Sequence, residues 1–217
     1  MSESAPSEPA PSESAPSEPA PLRQVPLRQV LPYRPVRQAL PADLRRMVPG
    51  GSRSPARWRL EVVVKTLLFP RVGAVVLFRF GQVLARRPGL LPLAYLLSRR
   101  AIAHSGAELS PLASIGPGLE LTHSVGVVIG ADVVIGHGAT IYHGVTLGDG
   151  ARPGRPVIGD DVLIGAGACV LGGVRVGNRV TIGAQCVVTK DLPDDVIATG
   201  IPASYRPRTD QRWNSAR

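Results

Sequence analysis

The first fifty residues show no periodic spacing of apolar side chains. SESAPSEPAP at 2–11 recurs unchanged at 12–21, and PLRQV occurs twice over 21–30. Pro/Ser/Glu repeats of this kind bury too little apolar surface to offset the entropy lost on ordering. We therefore predict a disordered low-complexity tail and linker over residues 1–52.

Apolar residues then recur at helical spacing. Three stretches, WRLEVVVKTLLF, RVGAVVLFRFGQVLARR and LLPLAYLLSRRAIAH, are separated by proline and glycine. This spacing predicts amphipathic helices. Because arginine is frequent on their polar sides, we expect a basic α-helical cap over residues 53–105.

From residue 106 to 192 a branched aliphatic residue recurs every sixth position, frequently followed by glycine. A helix needs a period of 3.6 and a flat strand a period of 2, so neither fits. A six-residue period is typical of a parallel β-helix, in which three hexapeptides form one triangular coil and the aliphatic side chains stack inside. Twelve positions predict about four coils, followed by a C-terminal tail over 193–217; they are Ile115, Leu121, Ile129, Ile135, Ile141, Leu147, Ile158, Ile164, Val170, Val176, Ile182 and Val188.

Two interruptions break this period. The first adds two residues around His123, and the second adds five residues after Leu147. Solenoids accept insertions as loops that project from one face, which is often the binding face. We expect both interruptions to mark the functional surface.

The net charge of +9 is concentrated in the front half of the chain. Residues 22–101 hold sixteen Arg or Lys and two acidic residues, whereas residues 102–217 are nearly balanced. The basic half could attract nucleic acid, an anionic membrane or an acidic substrate, or it could be a solvated helical surface. Since no nucleic-acid-binding motif accompanies the charge, we expect no nucleic-acid partner.

Cellular location and metal content are inferred from cysteines and apolar runs. Cys169 and Cys186 have no metal-ligand spacing around them, so we expect no metal and interpret both as small core residues in a reducing compartment. The run PGLLPLAYLLS is too short to span a bilayer, and the N-terminus lacks the pattern of a signal peptide. A cytoplasmic protein without an integral membrane segment is expected.

His123 is the first candidate for catalysis. An imidazole with a pKa near 6.5 can accept a proton at neutral pH when a carboxylate orients its other nitrogen, and Glu108 could supply that carboxylate. A solvated histidine at a turn is the alternative.

The second interruption and a further histidine offer other candidates. Residues 148–157 contain Gly148 and Arg155, and such a loop could cradle phosphates or cover a cleft, although it matches no phosphate-binding motif. His143 could serve the same site, or could be a surface or subunit-interface side chain.

Several segments are similar to bacterial serine acetyltransferases of the hexapeptide-repeat acyltransferase superfamily. They include ELSPLASIGPGLELTHSVGVVIG, VTLGDG, IGDDVLIGAGACVLGGVRVGNRVTIGAQCVVTKDLP and ATGIPA. The resemblance implies a left-handed parallel β-helix, a homotrimer with active sites between neighbouring prisms, and acetyl-CoA as donor. In longer relatives two trimers join through the helical domain, so a dimer of trimers is a further possibility.

The resemblance also implies roles for individual residues. His123 matches the catalytic histidine, and Glu108 matches the aspartate that orients it. The acetyl-CoA set comprises Gly148, Ala166, Ala184 and Lys190.

The substrate-binding set departs from the family pattern. Thr122 stands where the family often has aspartate, and Arg155 stands where a loop ending in Asp-Arg-His-Pro has its arginine or histidine. Arginine can bind a carboxylate but cannot act as a base. Thr122, Arg155 and His143 remain the candidate acceptor ligands.

We therefore expect an acetyl-CoA-dependent O-acetyltransferase. Serine is the favoured acceptor, and the product would be O-acetylserine for cysteine synthesis. A sugar or secondary-metabolite hydroxyl is the alternative acceptor, and a non-catalytic scaffold is the alternative class. Docking of a cysteine synthase is not expected, because partners of that enzyme usually end in isoleucine and this chain ends RWNSAR.

Overall fold

The computed structural model describes residues 35–48 and 55–208, which form a helical cap and a three-sided prism of short strands. The predicted tail over 1–34 and the linker residues 49–54 lie outside the described residues, as do residues 209–217.

Fifteen strands build the three faces of the prism. They are β1 Glu108–Leu109, β2 Ser114–Ile115, β3 Glu120–Leu121, β4 Val128–Ile129, β5 Val134–Ile135, β6 Thr140–Ile141, β7 Thr146–Gly148, β8 Val157–Ile158, β9 Leu163–Ile164, β10 Cys169–Leu171, β11 Arg175–Val176, β12 Thr181–Ile182, β13 Val187–Val188, β14 Val196–Thr199 and β15 Ser204–Pro207. The first face contains β1, β4, β7, β10 and β13, and the second contains β2, β5, β8 and β11. The third face contains β3, β6, β9, β12, β14 and β15.

Strand pairing confirms the six-residue period as the repeat of a parallel β-helix. Cys169 pairs with Val187, 18 residues further on, which is three hexapeptides. The separation is 20 residues where the pair spans the first interruption, as for Glu108 and Val128, and 23 where it spans the second, as for Thr140 and Leu163. Both insertions are therefore absorbed at corners of the prism, and the inward rows stay aligned.

The prism has five coils where the sequence predicts about four, because the interior rows extend further at both ends. Leu109, Leu192 and Ala198 are all buried and continue the rows. Leu109 lacks the following glycine, Leu192 comes four residues after Val188 instead of six, and alanine is not branched. Residues 193–208, predicted as part of a tail, therefore belong to the prism and end in β15, which pairs antiparallel with β14.

The predicted cap helices are present, and each begins next to a proline, whose fixed backbone angle suits the first turn. They are α2 Pro55–Leu68, α3 Pro70–Ala85 and α4 Leu91–Ser105. Gly106, with φ of 67°, ends α4 in the left-handed conformation that favours glycine. None of the described helices combines the length and the apolar character needed to cross a bilayer.

The predicted tail over residues 1–52 is wrong for residues 35–48, which form helical structure. They form a π-helical turn at Pro35–Ala39 and the helix α1 at Leu40–Met47, and the Asp43 side chain is fully buried. Asp43 accepts hydrogen bonds from Arg79 Nε and from the backbone N–H of Gly118 and Leu119, each at 2.8 Å. Arg79, equally buried, also donates to the Gly116 carbonyl at 2.7 Å. The sequence does not predict these contacts, because a single buried ion pair has no periodic signature.

Burial raises the pKa of the Asp43 carboxyl, whereas the charge and hydrogen bonds of Arg79 act in the opposite direction. The pair joins α1 and α3 to the first coil of the prism. The cap is thus fixed to the end of the β-helix at a point where neither partner reaches solvent.

The two cysteines differ in position. Cys186 is fully buried inside the prism, as expected, and burial raises the pKa of its thiol. Cys169 was also expected in the core, but it lies on the outer side of β10 and is half-buried. The prediction for Cys169 is wrong because it precedes the inward position, occupied by Val170, by one residue.

Candidate active site

The corner between the third and first faces brings together four of the predicted site residues. Each of them follows an inward aliphatic residue by two positions, and those aliphatic residues pair in register from coil to coil. We call this edge the histidine corner; from the cap outward it carries His123, His143, Ala166 and Ala184.

His123 and His143 meet on the outside of the prism. Their ring centroids are 5.7 Å apart and the rings are inclined at 66°, in an edge-to-face arrangement. Both side chains are exposed, so neither imidazole is part of the core. His123 lies outside the aliphatic rows at the same corner position as His143, and the register of the coils places the two side by side.

The cap holds the loop that carries His123. Arg71 Nη1, near the start of α3, donates to the Thr122 carbonyl at 3.1 Å. On the other side of the histidine, the buried Ser124 hydroxyl donates to the carbonyl of Ser105, the last residue of α4, at 2.9 Å. Sequence reasoning missed these contacts, because helical periodicity does not show which polar residue meets a distant loop, as Arg71 meets Thr122 51 residues away.

Glu108 is placed near this loop but is not bonded to the imidazole. It lies on β1 and is exposed, and its backbone N–H donates to the Val127 carbonyl at 2.8 Å, within the segment that follows His123. Between these two described residues, Glu108 and His123, there is no hydrogen bond or ion pair. The orienting contact that the sequence predicts is not formed here.

The remaining predicted site residues lie at another edge, between the first and second faces, which we call the loop corner. Gly148 ends β7 there, and the loop 149–156 follows it. Arg155 Nε donates to the Ala131 carbonyl at 3.0 Å, and its guanidinium forms an ion pair with Asp149. Lys190 is exposed at the same edge in a later coil.

The loop corner has open space beside Gly148, and an ion pair joins its loop to the last coils. A Cβ atom added to Gly148 would meet no heavy atom within 4 Å. Arg152, in the loop, forms an ion pair with Asp191 at 2.7 Å, next to Lys190. Seven of the nine predicted residues thus divide between two corners of one prism: the two histidines and two alanines lie at one, and the glycine, arginine and lysine lie at the other.

The described residues contain no group of three or more His, Cys, Asp or Glu side chains arranged to hold a metal ion.

Comparison with known proteins identifies the family. The model for bacterial transferase hexapeptide (six repeats) matches residues 126–152 and 155–190. A serine acetyltransferase of Helicobacter pylori (strain J99) is 44% identical over 151 residues, which cover 68% of this chain and 86% of the relative. The chain belongs to the serine acetyltransferase family. It is accordingly an acyltransferase.

Solved structures of the family agree with this assignment. Soybean serine acetyltransferase complexed with serine is 36% identical, with a TM-score of 0.66 over 77% of this chain and 68% of that chain. A serine acetyltransferase complex with CoA is 30% identical, with a TM-score of 0.65 over the same shares. In the hexapeptide match, the gap at residues 153–154 falls within the loop 149–156, as an insertion between repeats would.

Proposed function

We propose that this protein transfers the acetyl group of acetyl-CoA to the hydroxyl of L-serine, giving O-acetyl-L-serine for cysteine synthesis. The observation that carries the proposal is the exposed His123–His143 pair, with ring centroids 5.7 Å apart, on the corner where two alanines follow in the next coils. The relatives in complex with serine and with CoA support the choice of substrates.

In the proposed mechanism His123 is the general base. Its imidazole takes the proton from the acceptor hydroxyl as the oxygen attacks the thioester carbonyl. Backbone N–H groups stabilise the developing oxyanion, and collapse of the tetrahedral intermediate breaks the carbon–sulfur bond. The CoA thiolate leaves and recovers the proton from His123. Glu108 orients the imidazole once its side chain turns toward the loop.

The donor is proposed to extend along the histidine corner. Ala166 and Ala184 lie one and two coils beyond His143, and neighbouring coils are about 4.8 Å apart. Methyl side chains leave room for an extended arm on this edge. Gly148 and Lys190 would complete the donor site from the loop corner of a neighbouring prism.

The division of the site between two corners supports a homotrimer. In a threefold arrangement of parallel prisms, the loop corner of one subunit faces the histidine corner of the next. Arg155 of one chain would then approach the acceptor held near Thr122, His123 and His143 of its neighbour.

The test combines an acceptor panel with a histidine variant. With labelled acetyl-CoA, serine should be the best acceptor in a panel that includes sugars. His123→Ala should lose about two orders of magnitude or more in kcat while the oligomer persists. His137→Ala is the matched control, since His137 is an exposed histidine at the third corner, 2.8 Å from Asp160. Near wild-type turnover by His123→Ala would remove the proposed base.

A sugar or secondary-metabolite hydroxyl is the second candidate acceptor. It is favoured by one observation: Arg155, the candidate ligand for a carboxylate, is already paired with Asp149. The same panel separates the two, because no turnover of serine together with turnover of a sugar would select this acceptor. An absence of CoA binding in calorimetry would leave the scaffold hypothesis.

A further inference from the structure

Arg71 places a fixed positive charge next to the catalytic loop. Its Nη1 donates to the Thr122 carbonyl at 3.1 Å, and Thr122 directly precedes His123. The guanidinium therefore contacts the peptide unit that joins Thr122 to the residue of the proposed base. Arg71 as a whole is half-buried.

The position of Arg71 is set by the packing of α3. This helix begins at Pro70 and is anchored at mid-length by Arg79, whose buried guanidinium binds Asp43 and the Gly116 carbonyl. A helix fixed to the first coil in this way presents Arg71 to the Thr122 carbonyl without large freedom of movement.

The donors of Arg71 are mostly unused. A guanidinium has five N–H donors, and the bond to Thr122 uses one of them. Among the residues that the structure describes, no carboxylate pairs with Arg71. The imidazoles of His123 and His143 at this corner carry no negative charge, and Glu108, the carboxylate proposed to orient His123, forms no ion pair with Arg71. This part of the site is therefore complementary to an anionic group.

Because serine is small, its carboxylate must lie close to its reacting hydroxyl. Its carboxylate is two carbons from the reacting hydroxyl, so when the hydroxyl is at His123 the carboxylate must lie only a few bonds away. A guanidinium binds a carboxylate through parallel hydrogen bonds, and such charge-assisted bonds are stronger than neutral ones.

We propose that Arg71 binds the carboxylate of the acceptor and makes a carboxylate-bearing hydroxyl compound the preferred substrate. This inference rests on the proposed function, since it names a further ligand of the same site. Arg71 is then a specificity-determining residue supplied by the cap of the subunit that supplies His123.

The experiment compares L-serine with L-serinamide, which keeps the hydroxyl and the ammonium but has a neutral amide in place of the carboxylate. In Arg71→Gln the KM for serine should rise about tenfold or more, whereas the KM for serinamide should stay nearly unchanged, and any loss of kcat caused by the lost bond to Thr122 should be the same for both acceptors. Arg71→Lys should recover part of the serine affinity because it restores the charge without the planar fork. Arg87→Gln, an exposed arginine just beyond the other end of α3, is the matched control.

The outcomes separate this inference from the proposed function. If the wild-type protein acetylates serine but Arg71→Gln lowers kcat/KM equally for serine and serinamide, the arginine only supports the loop and the inference is overturned. Unchanged kinetics in Arg71→Gln overturn it as well. If the wild-type protein acetylates neither compound, the proposed function fails and this inference fails with it.

Discussion

Single glycines decide how closely the coils approach each other. At Gly116 an added Cβ atom would lie 2.6 Å from the Gly136 carbonyl oxygen and 2.9 Å from the His137 nitrogen, both of them backbone atoms of the next coil. At Gly148 the same addition meets nothing within 4 Å. The two positions carry the same residue for different reasons, one for coil stacking and one for open space beside the loop.

Gly116→Ala should therefore destabilise the protein by about 1–3 kcal/mol, because the backbone of two coils must shift to admit the methyl group. Gly148→Ala should leave the free energy of unfolding unchanged and raise the KM for acetyl-CoA if Gly148 borders the donor. Urea unfolding and steady-state kinetics on both variants check this. Equal stability of the two variants would contradict the stacking argument.

At the scale of elements, α3 connects the buried ion pair to the loop that carries His123. Arg79 joins the helix to Asp43 and to the first coil, and Arg71, two turns earlier, meets the Thr122 carbonyl. The sequence predicts this helix from its apolar spacing. It does not predict the polar contacts, since an arginine within an amphipathic stretch has the same pattern whether it faces solvent or a carbonyl.

Arg79→Met should cost about 3–5 kcal/mol of stability, because it leaves the buried Asp43 without its cation. Asp43→Asn together with Arg79→Met should recover part of this loss. The pKa of Asp43 is already raised by burial, so without Arg79 the folded state favours the protonated acid more strongly.

The destabilisation by Arg79→Met should consequently diminish as pH is lowered and grow as pH rises through the folded-state pKa of Asp43. Urea titrations at several acidic pH values, with the double variant as reference, measure this dependence. A loss of stability in Arg79→Met that is the same at every pH would show that Asp43 is not the group responsible.

At the scale of the whole molecule, the sequence predicts the prism almost completely because one inward residue in six is enough to specify each strand. The interruptions also identify His123 and the loop 149–156. The sequence does not predict how distant segments pack together. It leaves open the packing of α1 against the first coil, the distribution of the candidate site residues over two corners, and which surface lies opposite each corner. These depend on contacts between distant segments, which have no period.

The proposed homotrimer, with each active site shared between two subunits, predicts complementation between inactive variants. When His123→Ala and Arg155→Ala chains are co-expressed, mixed trimers should regain activity, since about a quarter of the sites would combine an intact His123 with an intact Arg155 from the neighbour. The purified mixture should be compared with each variant alone and with a mixture prepared without subunit exchange. Activity no higher than that of the better variant would place the whole site within one chain.

The antiparallel pairing of β15 with β14 has a consequence for solubility. The last coil of a parallel β-helix has unpaired backbone hydrogen-bonding groups that could pair with the end of another prism, and repeated pairing of this kind would produce fibres. The antiparallel strand β15, which is exposed along its whole length, pairs with one side of the last coil, so a parallel strand of another prism cannot pair there. The cap helices cover the opposite end of the prism. Each prism is thereby partly covered at both ends, which disfavours end-to-end stacking.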